Sequence, residues 1–128
     1  MKNTWDAVAE FMEAGGQVVG QKDWSVSERY SYQERVHSEC RETFDAVIKS
    51  DYVEIADGYA DVIYAAMTGL LNLVGREKAE QIFQAVVDAN SSKVDGSLGP
   101  VRRDKNGKIL KPEGFISPNQ KIKEILEG

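Results

Sequence analysis

Apolar residues recur at helical spacing from Trp5 to Val87. Trp5, Val8, Ala9, Phe11 and Met12 share one face of a segment that Gly15-Gly16 brings to a stop near Ala14. Gln17 to Trp24 has no period and reads as a loop. Two capping-box patterns, Ser25-Val-Ser-Glu28 and Ser31-Tyr-Gln-Glu34, predict a helix that starts in this stretch and runs to about Lys49. Its apolar positions Val36, Cys40, Phe44, Val47 and Ile48 step by three and four, which predicts one buried stripe with Cys40 as a small buried hydrophobe. Asp51-Tyr-Val-Glu54 opens the most apolar segment. There Val53, Ala56, Ala60, Ile63, Tyr64, Met67, Leu70, Leu71 and Val74 lead to Gly75, a suitable C-terminal stop. A helix apolar round so much of its circumference belongs at the centre. Arg76 to about Ser91 is the next amphipathic helix, carried by Ala79, Ile82, Phe83, Val86 and Val87.

The character then changes. Gly96, Gly99, Pro100, Gly107, Pro112 and Gly114 break the pattern. Val101-Arg-Arg-Asp and Lys108-Ile-Leu-Lys flank Lys105-Asn-Gly and predict a small hairpin, the Asn-Gly pair supplying positive φ. Ser117-Pro118 opens a last short helix with Ile122, Ile125 and Leu126. The fold class is all-α, a bundle of four to five helices with an irregular C-terminal extension. One domain of 128 residues is expected, with a helical body over 1–92 and the extension over 93–128.

Charge sharpens that division. The body holds 16 acids and 8 bases, the extension 5 acids and 8 bases, and the whole chain carries −5. A negative overall field argues against a nucleic-acid polymer as partner. The single cysteine excludes an internal disulfide and a CxxC metal site, and it fits a reducing compartment. With no basic-then-apolar leader and no apolar run of about 18 residues, no membrane partner and a cytoplasmic location are expected.

The acids carry the chemistry. Glu39 and Glu42 lie three apart on one helix, so both carboxylates project from one face, at the border of the apolar stripe. Glu54, Asp57 and Asp61 stack along one side of the central helix, and Asp61 is embedded among Ala60, Val62, Ile63 and Tyr64. One ExxE pair is ordinary solvated surface. Two acidic clusters on consecutive apolar helices need a partner to offset desolvation and like-charge repulsion, and a hard divalent cation supplies one.

Ser38-Glu-Cys-Arg-Glu-Thr-Phe-Asp-Ala46 resembles the ExxE helix of the MazG-like, all-α nucleoside triphosphate pyrophosphohydrolases. Glu54-Ile-Ala-Asp-Gly-Tyr-Ala-Asp-Val-Ile-Tyr64 resembles their second acidic motif. Val8-Ala-Glu-Phe-Met-Glu-Ala-Gly-Gly-Gln17 is similar to the opening helix of one branch. Asn90-Ser-Ser-Lys93, Asp95-Gly96, Gly107-Lys108 and Lys111-Pro112 are similar to that branch's C-terminal segment. The likeness spans most of the chain.

The resemblance implies cleavage of a (d)NTP between the α- and β-phosphates to (d)NMP and pyrophosphate. It implies two or more Mg2+ ions per site, replaceable by Mn2+, with Glu39 and Glu42 in the places of the ExxE glutamates and one of them taking the proton of the attacking water. Asp61 takes the place of the second motif's aspartate. The usual ExxD would put an acid at position 58, which is Gly58, so Glu54 or Asp57 must supply that ligand. Position 38 is Ser where a second adjacent glutamate is common. Lys93, Arg102, Arg103, Lys108 and Lys111 of the extension are candidates to hold phosphate oxygens, with Lys93 and the nearby Asn90 foremost because both sit in the matching segment.

Trp24 is a base-stacking candidate, although tryptophan more often packs. His37 has no nucleophile constellation around it and receives no role. A purine such as (d)GTP is the first substrate to try. The same motif logic fits a phosphoribosyl-ATP or a dUTP pyrophosphohydrolase, and a non-catalytic helical interaction module is the alternative of another class. So wide an apolar central helix exceeds what four helices cover, which predicts a homodimer or homotetramer.

Overall fold

The computed structural model describes residues 2–21 and 23–128. It contains α1 (Thr4–Ala14), α2 (Val26–Lys49), α3 (Tyr52–Val74), α4 (Arg76–Ser91) and α5 (Asn119–Glu127). No strand occurs among the described residues, so the fold is all-α. The only β-type pairing among them is an isolated antiparallel bridge between Arg103 and Ile109. None of these helices is long and apolar enough to cross a membrane.

The first three helices start at side-chain caps, each supporting its helix by about 1 kcal/mol. Asn3 Oδ1 accepts the Asp6 amide at 2.8 Å, Ser25 Oγ accepts the Glu28 amide at 3.1 Å, and Asp51 Oδ1 accepts the Glu54 amide at 3.2 Å. Of the two capping boxes, Ser25 is the one used, and Ser31 lies inside α2. Ser50 ends α2 in the left-handed region, with φ 55°, and reverses the chain within two residues so that α3 runs back along α2. Small residues set how closely those helices approach. Gly58 faces Thr43 and Gly69 faces Tyr32, eleven residues apart on both helices, which is three turns of matched register.

Chain contacts divide the molecule into two compact units, Met1–Ala79 and Glu80–Gly128, the division falling inside α4. In the first unit Val8, Ala9, Met12, Tyr32, Leu71 and Ala79 form the core, with Trp5, Val19, Trp24, Met67, Leu70 and Val74 against it. Asn72 is 1% exposed and holds the loop before α2 in place. Its Nδ2 donates to the Val18 carbonyl at 2.8 Å, its Oδ1 accepts the Trp24 Nε1–H, and its own carbonyl accepts the Gln21 amide at 2.6 Å. Arg76, at the start of α4, pairs with Glu13 and approaches Asp6 at 3.8 Å.

Between α4 and α5 the second unit is built from turns. Leu110 N donates to Arg102 O at 2.8 Å and Asp104 N to Lys108 O at 2.9 Å, closing the small hairpin round Gly107 at φ 84°. Asp104 Oδ1 accepts the amides of Asn106 at 2.8 Å and Lys108 at 3.0 Å. Ser117 rather than Pro118 assists α5, its Oγ accepting the Asn119 amide at 3.1 Å.

One expectation fails. The stripe predicted to be buried on α2 is bare from Cys40 onward: Cys40 is exposed, Phe44 is 64% exposed and Ile48 66%. The face α3 covers carries Tyr32, Thr43 and Ala46 instead. Spacing identifies an apolar face, but a neighbouring helix decides which face it covers. The first half of α3 behaves alike, with Val53 77% and Ile63 61% exposed.

Candidate functional site

The Gly58–Thr43 approach is what brings the acids together. Thr43 Oγ1 donates back to the Glu39 carbonyl at 2.7 Å, one turn along α2, and is buried against Gly58. Glu39 therefore faces the stretch of α3 that bears Asp57 and Asp61 on either side of that glycine, with Glu42 one turn along α2 from it. The position where an ExxD motif would carry its acid is filled by this contact, so no carboxylate fits at 58.

Glu39 is the strained member. Its Oε2 is shut off from solvent and has no hydrogen-bond partner. Desolvation is the largest influence raising its pKa above the ordinary 4.5, followed by the negative fields of Glu42, Asp61 and Asp57. Glu34, on the same helix, shows the opposite case. Arg41 Nη2 donates to it at 2.9 Å and holds its carboxyl below the usual range. Among the described residues no such cation pairs with Glu39.

The five predicted metal ligands do not share one environment. Asp61 is half-buried like Glu39, whereas Glu42, Glu54 and Asp57 are exposed. The dry cleft expected for the whole cluster is thus confined to part of it, because two helices in contact desolvate only the residues next to their seam. Asp57 is among the acids whose fields reach Glu39, and Glu54 is not. Glu54 stands in the first turn of α3, its amide capped by Asp51. Among the described residues no three acid, histidine or cysteine side chains are grouped so as to hold a metal ion. The donor set nonetheless suits a hard divalent cation: oxygen ligands only, one of them an orphaned buried carboxylate oxygen.

Neither a protein-family model nor a curated protein sequence matches this chain.

The basic candidates all lie in the second unit. Lys93 is half-buried and donates to Asn90 Oδ1 at 2.9 Å, while Asn90 Nδ2 donates to the Val86 carbonyl at 3.1 Å. Lys93 and Lys111 both lie over the ring of Phe115, their ammonium nitrogens 5.2 and 5.6 Å from its centroid. Arg102 Nη1 reaches the Lys111 carbonyl at 3.5 Å. Arg102, Arg103 and Lys108 are exposed, all three on the hairpin. Phe115 is not singled out by the sequence reading, since an isolated aromatic after Gly114 belongs to no apolar period.

Trp24 is used for packing. Its ring stacks on Tyr32 at 6.2 Å, its N–H goes to Asn72, and Arg35 lies over the other aromatic at 4.5 Å. One edge of the indole lines a cleft of about 400 Å³ with Val26, Arg29, Tyr30 and Gln33.

Proposed function

We propose that this chain is a Mg2+-dependent nucleoside triphosphate pyrophosphohydrolase that cuts a (d)NTP between its α- and β-phosphates. Glu39 carries the reading: a carboxylate oxygen removed from water, without a partner, beside three other acids. Such a group is tolerated either protonated or with a cation beside it. The similarity of Ser38–Ala46 and Glu54–Tyr64 to the two acidic motifs of MazG-like enzymes supports the cation.

Glu39, Glu42, Asp57 and Asp61 are the residues that would hold it, Asp57 being favoured over Glu54 by its field on Glu39. When bound, Mg2+ or Mn2+ supplies charge neutralisation of the phosphates and lowers the pKa of water. Glu39 or Glu42 takes the proton of the water that attacks phosphorus in line, and pyrophosphate leaves. Phosphate oxygens are the ligands that suit Asn90, Lys93, Arg102, Lys108 and Lys111. A purine nucleotide such as (d)GTP is the first substrate to test, with dUTP and phosphoribosyl-ATP beside it.

A second reading, a helical interaction module, is favoured by the bare apolar residues of α2 and α3. The partner we propose for that face is a second copy of the chain, in a homodimer or homotetramer. Catalysis and self-association are compatible.

The test is a panel of NTPs and dNTPs with Mg2+ or Mn2+, resolving NMP plus pyrophosphate from NDP plus phosphate. The first product pair is expected, with near-complete loss in Glu39→Gln and in Asp61→Asn. Turnover retained in both variants removes the assignment.

A further inference from the structure

We propose that Phe115 is a positioning residue that sets Lys93 and Lys111 as a two-pronged clamp for linked phosphates. The ligand is either inorganic polyphosphate or the triphosphate of a nucleotide, and the second form rests on the hydrolase reading above. Two ammonium groups share one aromatic ring, 5.2 and 5.6 Å from its centroid, so they can be no farther apart than the sum of those lengths. The ring's negative face attracts each cation, but the cations repel one another. Neither is paired with a carboxylate among the described residues. A multivalent anion bridging both removes the repulsion and leaves the ring contacts intact.

The surroundings fix the geometry. Asn90, itself tied to the Val86 carbonyl, takes a hydrogen bond from Lys93 and aims its chain off α4. Phe115 N donates to the Pro112 carbonyl at 3.1 Å across a turn with Gly114 at φ 83°, and Pro112 is buried. This turn sets the ring between a lysine just past the end of α4 and a loop lysine that lie 18 positions apart in sequence. Arg102, at the Lys111 carbonyl, adds a third positive group to the same region. A ring that holds two flexible chains in place lowers the ordering cost of the bound state.

The experiment is isothermal titration of the full chain, without metal, with inorganic tripolyphosphate. Binding is expected in the unaltered protein and should weaken about tenfold, equivalent to about 1.4 kcal/mol, in Lys93→Gln, Lys111→Gln and Phe115→Leu. Phe115→Trp should stay within about twofold, since indole is the better cation partner. Lys105→Gln, away from the ring, should also leave binding unchanged. A non-hydrolysable deoxynucleoside triphosphate that binds tighter than tripolyphosphate marks a nucleotide ligand, and equal affinity marks a polyphosphate; both retain the clamp.

In the unaltered protein the ε-methylene protons of Lys93 and Lys111 should be ring-shifted upfield and should move on adding tripolyphosphate. This reading does not depend on any variant folding. Absence of those shifts, no binding by the unaltered protein, or unaltered binding in Phe115→Leu overturns the proposal. With nucleotide substrate, Phe115→Leu should raise KM and leave kcat within about twofold, as expected where ground-state and transition-state binding are lost together. Cleavage with KM unchanged in that variant keeps the hydrolase and discards the clamp. Phe115-dependent tripolyphosphate binding with no cleavage of any nucleotide does the reverse.

Discussion

Gly58 on α3 lies so close to Thr43 on α2 that a Cβ at position 58 would stand 3.0 Å from the Thr43 Cβ and 3.2 Å from its Cα. Oγ1 would be nearer still. Glu39 lies one turn before this threonine on α2, and Asp57 and Asp61 flank the glycine on α3, so the distance between the two acidic stretches depends on a glycine with no chemistry of its own.

Gly58→Ala should therefore destabilise the protein although alanine is the better helix former. Overpacking costs about 1–3 kcal/mol, and the propensity gain of about 1 kcal/mol offsets only part of it. Thr43→Ala in the same chain removes the nearest atom and should restore part of the loss, so the pair should be non-additive in a denaturant double-mutant cycle. Gly58→Glu, which recreates the usual ExxD motif, should be worse than Gly58→Ala and gain no activity. Independent, additive effects of Gly58→Ala and Thr43→Ala would disprove the contact.

The raised pKa of Glu39 has a definite sign. Folded protein without metal retains a proton that the unfolded chain has already released. Stability therefore falls as pH rises from the ordinary value of 4.5 through the native pKa, and stays lowered above it. Glu39→Gln should melt about 1–3 °C above the unaltered protein at pH 7 in chelator, with the gap closing near pH 4. Adding Mg2+ should raise the melting temperature of the unaltered protein by mass action and leave the variant unmoved. A variant that melts lower at pH 7 would show that the carboxylate already has a stabilising partner.

Asn72 joins the loop at Val18–Trp24 to the end of α3. Asn72→Leu fills the volume but leaves the Trp24 N–H and the Val18 carbonyl without their partner. A loss of about 2–4 kcal/mol is expected in urea unfolding, with the slope unchanged. Trp24 emission should shift to the red below the main transition, because the indole loses its tether first.

The exposed apolar residues of α2 and α3 predict association. Light scattering should find a dimer or tetramer for the unaltered chain. Phe44→Glu combined with Ile63→Lys should give a monomer whose helical content by circular dichroism is unchanged, since both side chains are more than half exposed in the single chain. A monomeric unaltered protein at tens of micromolar would remove the second copy as the occupant of that face.

The amino-acid sequence by itself determined what is local. Helices between Ser25 and Lys49, Asp51 and Gly75, and Arg76 and Ser91 follow from caps, stops and apolar period, all set by residues within a few positions of each other. The hairpin at Lys105-Asn-Gly and the basic cast of the extension were equally legible, and so was the pairing of Glu39 and Glu42 on one helix. Tertiary structure decided everything that depends on which face meets a neighbour. It turned the Cys40–Ile48 stripe outward and put Tyr32, Thr43 and Ala46 inward. It also made Gly58 a necessity of helix approach and set Phe115 beneath two lysines from distant positions. Periodicity records that a helix has an apolar side; only the packing of one helix on another selects the side that loses its water.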